Sequence, residues 1–162
     1  MSYTPIAGDY FVVSTKGLVG FFIQLGTFSK MNHTGIYIGN GRIIEATTRL
    51  GVIESDLSKY DGLPLVWNHQ DNPTDAQRAI IIETAKKQLG KKYFFGDIAV
   101  IAARILNIPV PKIILRHLAT SKREICSAMT ALCMRAAGFT IEPGKPVYFV
   151  TPSDLTYRLL WI

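Results

Sequence analysis

The chain has 162 residues, 48% hydrophobic and 19% charged, which suits one domain with a real core and excludes a disordered protein. Two cysteines allow one bridge at most, so this is not a disulfide scaffold. The formal net charge of +6 favours acidic partners such as nucleic acid, anionic lipid or anionic wall polymer without choosing among them, and the basic residues stand singly or in pairs (Lys86–Lys87, Lys91–Lys92, Lys122–Arg123) rather than in an arm for specific nucleic-acid binding.

In chain order, the first nine residues lack the charged and apolar regions of a secretory signal. Residues 9–13 read as a strand after the turn residues Ala7 and Gly8. Residues 17–28, apolar with several glycines, read as a loose helix. Residues 33–38 are rich in β-formers, Gly39-Asn40-Gly41 supplies a turn, and residues 42–46 return as the second strand of a hairpin. Val52–Ile53 and residues 63–67 are further strands, the last placed at an edge by Pro64.

The character then changes. Residues 71–75 hold a helix start, residues 76–89 have helical apolar spacing, and Gly90 is the stop. A second helix is expected over 97–106. Pro109 and Pro111 break the pattern before a short helix ending near Leu118. A further helix opens at Cys126 and stops at Gly138. A turn-rich stretch over 142–146 leads to residues 151–155 and a final apolar segment. No stretch approaches 18 uninterrupted apolar residues, so no spanning helix is expected. Strands early and helices late imply a single α+β domain over 1–162, with an antiparallel sheet that curls toward a half barrel and packs against helices.

Cys126 carries the strongest chemical signal. A thiol at a helix start, after the basic stretch 121–124, feels the positive end of the helix dipole and nearby cations, and both favour the thiolate. The competing reading is a small buried apolar residue. Cys133, seven residues along the same helix, lacks the dipole and is expected to pack. A nucleophilic cysteine needs a base, and the base an orienting group. Of three histidines, His33 opens a strand beside the small residues Thr34 and Gly35. His69 lies in a polar loop, and His117 lies beside Arg116 at a basic helix end. Pairing about the Gly39-Asn40-Gly41 turn puts residues summing to roughly 79 opposite one another. His33 then faces position 46, give or take one, with Glu45 close enough to orient its ring. No Cys-x-x-Cys, His-Glu-x-x-His, Asp-rich loop, Gly-x-Gly-x-x-Gly, phosphate loop or Gly-x-Ser-x-Gly occurs, so neither a metal nor another cofactor is expected.

Six short pieces recur in a familiar order: Gly8 to Val13, Asn32 to Gly39, Ile44-Glu45-Ala46, Gly90-Lys91-Lys92-Tyr93, Ile125-Cys126-Ser127 and Thr151 to Leu155. This order resembles the circularly permuted branch of the NlpC-type papain-like cysteine hydrolases, in which the histidine strand precedes the cysteine helix. The resemblance spans Gly8 to about Leu155. It implies a papain-like fold with Cys126 as nucleophile, His33 as base and Glu45 as third residue. Tyr93 matches a tyrosine near the site in such proteins, and Ser127 and Tyr37 join it as candidates for substrate contact. The implied reaction is cleavage of an amide bond, foremost in peptidoglycan stem peptides, through a thioester acyl-enzyme. Relatives of this type also include acyltransferases and lipases similar to lecithin–retinol acyltransferase. A non-catalytic binding or virion module that keeps the fold is the reading of a different class. Residues 94–118 form an apolar, proline-broken insertion that either packs on the sheet, covers the cleft or meets a lipid surface. The absence of a leader signal suits either a cytoplasmic enzyme or a virion-associated phage protein.

Overall fold

A computed structural model describes residues 3–16, 30–47, 49–92, 108–113 and 126–160. The helices expected over 17–28 and 97–106, His117, Tyr93 and most of the 94–118 insertion lie outside these residues. The described chain is α+β. Five strands, β1 (Tyr10–Val13), β2 (His33–Gly39), β3 (Arg42–Thr47), β4 (Gly51–Asp56) and β5 (Leu65–Trp67), form one antiparallel sheet in the order β4-β3-β2-β1-β5. β5 takes the edge that Pro64 implied, since proline cannot donate to a ladder. β4 runs longer than its two apolar residues suggested. Arg42 on β3 pairs with Glu54 at 2.9 Å and Asp56 at 2.6 Å and so accommodates a polar continuation.

Alternation along the strands sorts the side chains into two faces. Tyr10, Val12, Ile36, Ile44, Ala46 and Val52 pack with Met129, Cys133 and Met134 in the main core. Phe11, Val13 and Ile43 face the other way and are closed over by Tyr60, with Leu57, Leu63, Leu65 and Trp67 packed around them. Both faces of β1 are therefore covered, and all four of its residues are buried.

The β2–β3 hairpin turns through Asn40 and Gly41 with φ of 51° and 72°, the positive values that an Asn-Gly turn accommodates. Its register is Gly35↔Glu45, Ile36↔Ile44 and Tyr37↔Ile43, and then shifts by one at Gly39↔Arg42. Opposed residues thus sum to 80, not 79. The difference is consequential, because a one-residue slip exchanges the faces of a strand. At 79, Glu45 would lie on the face opposite His33; the irregularity at Gly39 puts the two on the same face.

Three α-helices follow: α1 (Asp75–Lys86), α2 (Cys126–Ala136) and α3 (Pro152–Leu160). Thr74 and Gln77 form a reciprocal capping box at the start of α1. The helix ends at Lys86, short of the expected Leu89, because the chain leaves to hydrogen-bond β4. Gly90 N–H donates to the Val52 carbonyl (2.9 Å), and Val52 N–H donates to the Lys91 carbonyl (2.8 Å). Gly51 permits this approach: its φ is 79°, and a Cβ there would stand 2.2 Å from the Lys91 oxygen. A buried ion pair, Arg78 Nη1 to Asp9 Oδ1 at 2.7 Å, ties α1 to the start of β1, and Tyr3 and the Ile6 N–H donate to the other Asp9 oxygen. α2 packs across β2 and β3, while α3 lies against α2, β1 and β5. Among the described residues no helix is long and apolar enough to cross a membrane.

Candidate active site

His33 is the first residue of β2 and Cys126 the first of α2. The site forms where these two ends meet. The adjoining residues fix the helix to the strand. Thr34 faces the helix, its hydroxyl 3.2 Å from that of Thr130. Thr34 also donates to the Phe11 carbonyl at 2.6 Å, and Thr130 to the Cys126 carbonyl at 3.1 Å. Both hydroxyl protons are thus directed at carbonyls, and the two oxygens touch in a buried contact one residue from His33 and one turn from Cys126. Gly35 keeps the packing close beside them, since a Cβ would stand 3.0 Å from the Ile44 oxygen and the Phe11 ring. On the other side of β2, Asn32 accepts from Thr15 N–H at 2.9 Å and donates to the Thr15 carbonyl at 2.8 Å. The start of the strand is therefore held from both sides.

His33 Nε2 lies 2.7 Å from Glu45 Oε2, and its ring stands close enough to Cys126 for the sulfur to act on its protonation. With Nε2 committed to Glu45, Nδ1 is the nitrogen left for sulfur. Glu45 has no solvent exposure. Its Oε1 accepts from Ser55 of β4 and from Lys59 Nζ at 2.5 Å, and its Oε2 accepts from Tyr60 as well as His33. A carboxylate has about four lone-pair sites, and each of these four donors occupies one. Burial disfavours the charged carboxylate, yet His33, Lys59 and Ser55 outweigh it and hold Glu45 well below the usual carboxylate range. Burial likewise opposes a charged imidazole, but hydrogen bonds and charge from Cys126 and Glu45 prevail and raise His33 to about 9. The ring is therefore an imidazolium at neutral pH. Burial and the Glu45 charge push Tyr60 above its ordinary value, which keeps its hydroxyl a donor.

The structure thus gathers Cys126, His33 and Glu45. It does not bring Ser127 or Tyr37 to them. Ser127 is buried and donates to the Val150 carbonyl at 2.6 Å, which fastens α2 to the segment before α3. Tyr37 shares the His33 face but stands four residues up the strand, about 13 Å away at the rise of a β-strand. There its ring packs on Trp67, and its hydroxyl accepts from Gly41 N–H at 3.2 Å. Cys133 is fully buried in the core, and His69 is exposed beside Tyr3 and the Trp67 carbonyl. Sequence reasoning missed Ser55, Lys59 and Tyr60. Ser55 had a readable signal, since it opposes Ile43 two residues from Glu45 on the same face. Lys59 and Tyr60 come from a 3-10 turn, Leu57–Tyr60, that no local pattern announces. Among the described residues no group of three or more histidine, cysteine, aspartate or glutamate side chains could hold a metal ion.

An imidazole ring between a sulfur and a saturated buried carboxylate is an arrangement able to take a proton from the sulfur and deliver it elsewhere. Compared with known proteins, the chain matches no family model and no curated protein.

Proposed function

We infer that this protein is a thiol hydrolase of the papain-like, circularly permuted type, acting on an amide through Cys126, His33 and Glu45. The observation that carries the reading is the meeting of the Cys126 thiol with a His33 ring whose other nitrogen lies 2.7 Å from buried Glu45. The order of elements supports it: the base lies on a strand of an antiparallel sheet, before the helix that the thiol opens.

In this mechanism the proton carried by the His33 imidazolium is the one Cys126 has given up; the thiolate sulfur attacks the carbonyl carbon, and the carbonyl π electrons move to oxygen. The N–H groups of the first turn of α2, beginning with that of Cys126, stabilise the oxyanion. Collapse breaks the C–N bond, His33 gives its proton to the departing amine, and a thioester remains. Water attacks the thioester, its proton returns to His33, and the acid leaves as the sulfur regains its electrons. Glu45 holds the ring orientation through both halves. No cofactor is needed. The substrate class proposed is the stem peptide of peptidoglycan, whose carboxylates suit a chain of net charge +6.

The test has two arms. Iodoacetamide at neutral pH should label Cys126 faster than a model thiol, and His33→Ala should remove the advantage. Incubation with muropeptides should then release free amine, and Cys126→Ala should abolish the release. Acyl transfer or hydrolysis on lipid esters, with no amine from muropeptides, would replace the proposed substrate. Labelling no faster than the model thiol, and indifferent to His33→Ala, would end the hydrolase reading.

A further inference from the structure

Glu45 is contacted by two cationic side chains, one on each carboxylate oxygen. His33 holds Oε2 and Lys59 holds Oε1. Lys59 differs from an ordinary surface partner in that its carboxylate has no exposure, whereas the lysine side chain is 40% exposed. Its stem runs inward from solvent, and its ammonium stands 5.1 Å from the Tyr60 ring centre, a cation–π contact that favours this position. The turn carrying both residues is anchored where Leu57 N–H donates to the Gly41 carbonyl at 2.8 Å. The arrangement is therefore held by backbone.

We propose that Lys59 is a positioning residue that, acting through Glu45, loosens the hold on the His33 proton so that the ring can release it during turnover. The inference rests on the hydrolase reading for its purpose, though not for its measurement. When His33 protonates a leaving amine it becomes neutral. Without Lys59, Glu45 would then be a buried anion with no counter-charge, a costly state. That cost would fall on the proton-transfer step, because the carboxylate would bind the imidazolium too firmly for an effective general acid. The Lys59 ammonium compensates Glu45 in both states of the ring and repels the imidazolium across the carboxylate. Among the described residues, the titratable groups facing His33 are Glu45 from β3, Cys126 from α2 and Tyr60 from the 3-10 turn. Lys59 reaches it through Glu45.

The sign of the effect separates this role from a merely structural one. If Lys59 only held the carboxylate in place, its loss would free Glu45 and lower the pH at which His33 titrates. If Lys59 acts by charge, its loss raises that pH. The experiment is an NMR titration of the His33 ring in the whole protein. Lys59→Met should move the midpoint upward by about 0.5–1 pH unit, Lys59→Gln, which keeps a donor but no charge, should move it the same way, and Lys59→Arg should leave it near wild type. An unchanged or lowered midpoint in the Met and Gln variants overturns the proposal, as does an arginine variant that titrates like methionine. Should Lys59→Met not fold, the Gln and Arg pair decides alone. Iodoacetamide labelling of Cys126, run in parallel, reports on the hydrolase reading: slow labelling indifferent to His33→Ala removes that reading while the titration still answers for Lys59.

Discussion

Replacing Glu45 by glutamine keeps the shape of the side chain and removes its charge, so it isolates what the carboxylate does to His33. The ring is raised from 6.5 to about 9, which corresponds to about 3–4 kcal/mol of preference for imidazolium at roughly 1.4 kcal/mol per pH unit. Burial acts against that preference, so Cys126 and Glu45 together supply more than the net figure. In Glu45→Gln the burial penalty stays and one of the two charges is gone. The His33 midpoint, followed by NMR of the ring, should fall by at least about 1 pH unit. The same change appears in stability. Because the folded value lies above the unfolded one, His33 stabilises the wild type fully below pH 6.5, progressively less from 6.5 to about 9, and not at all above. In the variant that decline moves to lower pH, and urea unfolding across this window reads it. The lowered Glu45 value reports the same ion pair from its other partner, together with the pulls of Lys59 and Ser55, and is not added. A midpoint unchanged by the substitution would show that Glu45 does not govern the ring and would refute the reasoning.

Three further outcomes follow from packing. Gly51→Ala places a Cβ 2.2 Å from the Lys91 oxygen at a φ of 79°; chemical denaturation should record a loss of at least about 2 kcal/mol. Arg78→Met leaves Asp9 fully buried without its cation and should cost about 3–5 kcal/mol in the same assay. Thr130→Val keeps the volume but removes the hydroxyl that joins Thr34 to the Cys126 carbonyl; it should cost about 1 kcal/mol and slow iodoacetamide labelling of Cys126 through misplacement of the thiol.

The hairpin was readable from Gly39-Asn40-Gly41 because positive φ at a two-residue turn leaves few residue choices. The helix starting at Cys126 was readable because Gly138, with φ of 87°, closes it as a left-handed cap does. The register was not readable. The shift at Gly39 depends on how the turn meets the strand, and no side-chain pattern encodes one extra residue. That single residue decides whether Glu45 faces His33: the expected register would have placed the carboxylate on the opposite face from the ring it was expected to orient. Ser127 and Tyr37 stand apart from the other three for a related reason. Adjacency to a nucleophile or to a histidine in sequence does not set direction: Ser127 projects from α2 toward Val150, and Tyr37 is carried up the strand to Trp67. The donors on Glu45 arrive from β4 and the turn after it, contacts that exist only once the sheet has formed.

The meeting of strand end and helix end has a consequence for biosynthesis. In a nascent chain emerging from the ribosome, the residues of the imidazole–carboxylate half are translated long before the sulfur. The sulfur reaches the imidazole only when α2 docks through Thr130 onto Thr34. That meeting therefore comes late in synthesis, with only α3 still to pack against α2, β1 and β5.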